Sequence, residues 1–224
     1  MTELTSSAGI ARRSLITRSI KRTVDVTLAL LTLVLLSPLF LFVGAVVAVS
    51  IGRPIFFSQL RPGLNGEPFL IRKFRTMTDT RNPNGDLLPD ADRLTRFGQL
   101  LRSTSLDELP EFWNVLKGEM SLVGPRPLLL EYLDLYPKHH LRRHDVKPGI
   151  TGWAQIHGRN ATTWDNRLNL DIWYVDNWSN RLDLSILART VIAVVHRRGI
   201  SSDTHVTMED YSPTSYSARR DETK

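Results

Sequence analysis

An uncharged apolar run from Val26 to Gly52 dominates the hydropathy pattern, and shorter periods follow it. As a straight helix, at ~1.5 Å per residue, the run would reach roughly 40 Å, enough to cross a ~30 Å hydrocarbon core. A cleaved leader matches poorly, because its apolar region is ordinarily ~7–15 residues long. A plain spanning helix is opposed by Ser37-Pro38 near the midpoint of the run. Proline there removes a backbone donor and crowds the preceding turn, which favours a bend. Each arm then holds about 13 residues, or ~20 Å, too short to reach the far interface. Positive charge flanks both ends: Arg12, Arg13, Arg18, Lys21 and Arg22 before the run, Arg53 and Arg61 after it. Basic flanks tend to stay cytoplasmic, so the expectation is a broken helix over 21–53 that dips into one leaflet and returns. Proline also occurs in ordinary spanning helices, so a crossing is the competing reading.

Residues 1–20 read as a loose basic tail. After the apolar run, 54–198 has the pattern of a soluble domain. Ile55–Gln59 and Phe69–Met77 are β-prone, with Asn65-Gly66 between them as a turn signal. Residues 78–90 form a polar loop, and Leu94, Phe97, Leu100 and Leu101 predict a helix over 91–103. Pro110 to Lys117 reads as a short helix, with proline in its first turn and Gly118 just past its end. Lys147–Arg159 is glycine-punctuated and predicts strand and loop. Asp183 is placed as the cap of an interfacial helix over 184–198, and the polar stretch 199–224 is expected to be disordered. The class is α+β, mostly helical, with short strands.

Composition changes this picture in two ways. The formal net charge of +6, from 29 Lys+Arg against 23 Asp+Glu, favours anionic partners: phosphates, an anionic membrane or nucleic acid. The chain has no cysteine, which removes disulfides and thiolate metal sites.

Candidate chemistry concentrates in LRSTSLDELPEFWNVLKGEMSLVGPRP. Asp107 and Glu108 precede a short helix, whose positive end would keep carboxylates ionised. Ser105 with Glu108 also fits a capping box, although Pro110 sits where that helix would need a donor. On residues alone, capping or surface charge is the default. Lys73 and Arg75 precede the pair, Arg102 stands close to it, and Arg126 and Arg159 follow. Guanidinium forks suit phosphate oxygens, and prolines on both sides of Arg126 stiffen its backbone. Adjacent acids among cations are what phosphoryl transfer uses: a carboxylate attacks phosphorus or holds a divalent ion, while cations offset developing charge. His140 and His144 have zinc-like spacing but lack an acidic third ligand, so a basic helix face at the membrane is the preferred reading. Trp153, Trp164, Trp173, Tyr174 and Trp178 mostly default to packing, with base stacking or an interfacial seat as alternatives. No Walker-type loop is present.

Read together, KFRTM, TRFGQLLRSTSLDELPEFWNVLKGEMSLVGPRP and KPGITGWAQIHGRN resemble the bacterial sugar transferase family, the monotopic polyprenyl-phosphate phosphoglycosyl transferases in their small form. The resemblance spans about Lys21 to Gly199. It implies transfer of a sugar 1-phosphate from a nucleotide diphosphate sugar, usually a UDP-sugar, to undecaprenyl phosphate, with release of the nucleoside monophosphate. It implies that Asp107 is the nucleophile of a covalent phosphosugar intermediate and that Glu108 assists, as base for the incoming lipid phosphate. Mg2+ near Asp107 is the implied cofactor. Lys73, Arg102, Arg126 and Gln155 match positions associated with the family's site, and Ser37-Pro38 matches its re-entrant break. The implied location is the bacterial inner membrane, anchored in one leaflet, with the catalytic domain on the cytoplasmic face. No nucleic-acid partner is expected, and self-association is left open. Glu111, Glu119 and Ile156-His157 depart from the commoner residues, which bears on sugar choice.

Overall fold

The long apolar run forms two helices, α1 over Leu15–Leu35 and α2 over Ser37–Ser50, bent by 64° at their junction. Pro38 has no N–H for the Val34 carbonyl one turn back. The Ser37 hydroxyl donates to that carbonyl instead, at 2.8 Å, so the break leaves no orphaned acceptor. Among the described residues, no single helix is both long and apolar enough to cross a membrane. The computed structural model describes residues 15–157 and 163–195. Helix α1 includes residues 15–20, which the hydropathy pattern assigns to the tail; the rest of that tail and the 199–224 stretch lie outside the described residues.

Strands β1 (Phe56–Pro62) and β2 (Pro68–Phe74) form an antiparallel hairpin in the register Phe56 to Phe74. Its turn places Asn65 at φ 56° and Gly66 at φ 80°, the left-handed region that this dipeptide tolerates. The helix expected over 91–103 is two: α3 (Asp90–Arg93) and α4 (Arg96–Thr104). Between them Leu94 is extended and bridges to Met77, and the Thr95 hydroxyl accepts from the Gly98 N–H at 2.9 Å. A local cap outweighs the helical spacing of leucines. Helix α5 (Glu111–Lys117) forms as expected, with Gly118 at φ 84° closing it.

Strand β3 (Ser121–Val123) then pairs in parallel with β4 (Gly149–Thr151), after the short helix α6 (Lys138–Leu141). The backbones approach so closely that a Cβ on Gly149 would lie 2.1 Å from the Gly124 nitrogen. The stretch expected to be strand and loop also contains a helix, α7 (Trp153–His157). Helices α8 (Trp164–Asn177) and α9 (Asn180–Val195) complete the described chain. Asp183 lies inside the first turn of α9 and does not cap it. Its carboxylate is drawn inward, accepting from Lys21 at 2.6 Å, Tyr174 at 2.8 Å and Trp178 at 2.9 Å.

Two apolar clusters seat these elements. One joins Ala29 of α1 to Phe69, Ile71, Val115, Met120, Leu122, Tyr174 and Ile186. The other joins Val43 and Val47 of α2 to Phe74, Leu101 and Leu109. The polar start of α1 is also built into the domain. Arg22 donates to the Val115 and Leu116 carbonyls at the end of α5, at 2.6 and 2.8 Å, and buried Asp25 accepts from the Leu122 N–H at 3.1 Å.

Candidate active site

A cleft of about 860 Å³ opens between the β1–β2 hairpin, the turn after α4 and the chain following β3. Lys73, Arg75, Arg102, Asp107, Glu108 and Arg126 all line it, although they span more than fifty residues of sequence. The turn comes first. Ser105, at φ 58°, ends α4, and Leu106–Glu108 coil into a 3-10 turn. Leu109 below it is locked into the α2 cluster. Asp107 and Glu108 are thereby held on the cleft side.

The capping reading of Ser105 and Glu108 is overturned: no side-chain cap bond forms at Ser105. One Glu108 oxygen accepts from Lys73 at 2.7 Å and from Arg126 at 2.5 Å. Burial would push this carboxyl up, but the charges and hydrogen bonds of Arg126 and Lys73 prevail and hold it well below the usual carboxylate range. Asp107 is the opposite case. It is 8% exposed, and burial, followed by the Glu108 charge, pushes it up to about 6 against Lys73, Arg126 and Arg102. Desolvation thus outweighs the helix end at Asp107, although a value of about 6 still leaves the carboxylate mostly ionised at neutral pH.

The cations differ in freedom. Arg126 sits behind Pro125, and its backbone carbonyl accepts from Arg143 at 2.7 Å. Arg143 is itself paired with Asp171 at 2.8 Å, both buried. HHLRRH is thus not a membrane-facing basic surface: His140, Arg143 and His144 are core residues, and burial lowers His144 to about 4. Among the described residues no metal-ligating cluster exists, so the zinc spacing has no third ligand. Arg102 donates to the Thr76 hydroxyl at 3.0 Å, and α4 lies so close to that strand end that a Cβ on Gly98 would stand 1.9 Å from the Thr76 oxygen. Arg75 is committed, to Asp79 at 2.8 Å and the Pro54 carbonyl at 3.3 Å. Gln155, on α7, is not among the residues lining the cleft, and its amide atoms are buried without hydrogen-bond partners. Arg159 lies outside the described residues.

Sequence reasoning missed several contributors. Glu111, noted there only as a departure, is 1% exposed, lines the cleft and stands 3.0 Å from Lys73. Tyr132, Trp164 and Arg167 form the facing wall, with Tyr132 edge-on to Trp164 at 5.8 Å and the Arg167 guanidinium over that indole. Trp164 belongs to the cleft, whereas Trp178 packs in the core and Trp153 stacks on Trp173 at 4.3 Å.

The donor set can be tested against Mg2+. That ion ordinarily takes one or two carboxylates and fills its remaining sites with water and substrate phosphates. Among the described residues Asp107 forms no ion pair, while one Glu108 oxygen is held by both Lys73 and Arg126. One carboxylate without an ion pair among the described residues, in a cationic cleft, fits an ion that arrives with a diphosphate and does not fit an all-protein cage.

Comparison with known proteins follows the same line. Residues 16–197 match the family model described as bacterial sugar transferase, and the chain belongs to that family. It is 56% identical over 193 residues to the sugar transferase EpsL of Bacillus subtilis (strain 168), covering 86% of this chain and 96% of that protein. It is 41% identical over 203 residues to the exopolysaccharide production protein ExoY of Sinorhizobium fredii, covering 80% and 87%. It is also 41% identical over 181 residues to a UDP-glucose:undecaprenyl-phosphate glucose-1-phosphate transferase of Klebsiella pneumoniae, covering 76% of this chain but 39% of that longer protein.

Proposed function

We propose that this enzyme transfers a sugar 1-phosphate from a nucleotide diphosphate sugar, a UDP-sugar by analogy with the Klebsiella relative, to undecaprenyl phosphate. The observation that carries the reading is Asp107. Among the described residues it is a buried carboxylate without an ion-pair partner in a polar cleft, beside a neighbour held by two cations.

In the first step an Asp107 oxygen attacks the β-phosphorus, and the bond to the bridging oxygen breaks. The nucleoside monophosphate leaves with that electron pair, and the sugar phosphate is held as an aspartyl mixed anhydride. In the second step an oxygen of the lipid phosphate attacks the same phosphorus, and the carboxylate of Asp107 is returned. Lys73, Arg126 and Arg102 offset charge on the transferring group. The geometry supports Glu108 as the residue that positions Lys73 and Arg126. A carboxylate held so far below its usual range is a poor base. Mg2+, bound with the diphosphate and ligated by Asp107, would supply further neutralisation of phosphate charge.

The bent pair α1–α2 supports a shallow anchor. Leu28, Leu31, Val34 and Leu35 of α1, with Leu41, Phe42 and Val49 of α2, are exposed apolar side chains that need a lipid environment. Anchored from the cytoplasmic side of the inner membrane, the cleft meets a soluble donor and a lipid acceptor at headgroup level. The test is nucleoside monophosphate release from a panel of UDP-sugars with undecaprenyl phosphate and Mg2+. Asp107→Asn is expected to abolish release, and undiminished release would refute the assignment.

A further inference from the structure

The Lys73 ammonium lies between two carboxylates, 2.7 Å from Glu108 and 3.0 Å from Glu111. The two contacts are unlike. Lys73 aims a proton at Glu108, whereas the facing Glu111 oxygen is buried and has no well-formed hydrogen bond. Glu111 projects from the first turn of α5 into the cleft wall. The charged groups that face it come from four segments: Arg61 of β1, Lys73 of β2, Glu108 of the 3-10 turn, and Arg126 after β3. An anionic substrate entering this cleft must draw on the same cations.

We propose that Glu111 governs how firmly the cleft holds the diphosphate of the donor, by competing with it for Lys73. The inference rests on the donor being a nucleotide diphosphate sugar, as argued above. With Glu111 protonated, Lys73 answers to one carboxylate and retains positive potential for phosphate oxygens. With Glu111 ionised, the ammonium is doubly claimed and the cleft gains a negative charge that repels the donor. Burial pushes Glu111 up to about 7, with Lys73 opposing and Glu108 reinforcing, so this competition turns on across neutral pH. A diphosphate diester is fully ionised throughout that range, so the donor itself contributes no titration.

The experiment is the pH dependence of KM for the UDP-sugar, with Glu111→Gln set against the parent enzyme. The parent KM is expected to rise about fivefold to tenfold between pH 6 and pH 8.5, the size of effect one nearby charge exerts in a partly desolvated site. In Glu111→Gln that rise is expected to vanish while the two enzymes converge at pH 6. Glu111→Met, of similar length and without charge, is expected to share the flat profile and serves if the glutamine variant folds poorly. A side chain that only packs α5 would shift stability or kcat and leave the slope of KM intact. The parent's slope persisting in both variants overturns the inference. Absence of any nucleoside monophosphate release by the parent enzyme is a different failure, that of the functional reading beneath it.

Discussion

Asp107 and Glu108 are adjacent in sequence and opposite in charge behaviour. The difference comes from partners far along the chain, because Lys73 and Arg126 both bind Glu108 while Asp107 is left with burial. If Asp107 is the nucleophile, as proposed, attack on phosphorus needs its ionised carboxylate, so kcat/KM for the donor is expected to rise through an acid limb near its value of about 6. The sign follows from a raised value: activity is lost as pH falls below it and protons occupy the nucleophile. In Glu108→Gln the like charge disappears and Lys73 and Arg126 are released, and both changes favour ionised Asp107. The acid limb should then move to lower pH while kcat drops about tenfold or more, because the cations lose their anchor. An unmoved limb in rate profiles of Glu108→Gln would show that the pair does not interact as described. The pair itself was legible through its motif. Which member holds its proton to higher pH was not, since that depends on side chains brought together only by the fold.

Elements were legible where the signal is local and obscured where it is tertiary. Asn65-Gly66, Pro110 and Gly118 mark their turn and helix ends through backbone preference, and all act as expected. Thr95 was overlooked because leucines at helical spacing run across it, yet its cap divides the helix. The parallel pairing of β3 with β4 has no local signature, since three-residue strands are joined over more than twenty intervening positions. Asp183 looks like a cap in sequence and is instead the acceptor for Lys21, Tyr174 and Trp178. Lys21 and Arg22 of α1 likewise look like membrane flanks and prove to be docking groups. Asp25 beside them docks as well, because it satisfies the Leu122 N–H on the strand that leads to Arg126. Asp25→Ala would leave that buried donor unpaired, at a cost of about 1–3 kcal/mol in unfolding free energy. Asp25→Asn keeps an acceptor oxygen and should recover most of the loss. Chemical denaturation in detergent distinguishes the two, and equal stability of the alanine variant and the parent would remove the role.

At the scale of the molecule, the bend and the docked start of α1 act together. Arg22 and Asp25 tie one end of α1 to the domain, and Val43 and Val47 tie α2 to the same domain near the Leu106–Glu108 turn. A hairpin held at both arms cannot straighten without breaking one of these contacts, so both termini are expected on one side of the membrane. Pro38→Leu tests this directly. The substitution restores the missing N–H and removes the ring that crowds the preceding turn, so a continuous α1–α2 helix becomes accessible, long enough at ~1.5 Å per residue to span a bilayer. The absence of native cysteine makes the readout clean: a single cysteine placed in residues 1–14 or 201–224 is the only thiol to label. In the parent, neither site should react with an impermeant maleimide added to intact cells. In Pro38→Leu, the N-terminal site should become reactive in a fraction of molecules, and those molecules should release no nucleoside monophosphate, because Ala29 and Asp25 have left the domain. Labelling of either terminus in the parent would contradict the one-leaflet arrangement. The bend would then be a kink in a crossing helix, and the cleft would have to reach its lipid acceptor by another geometry.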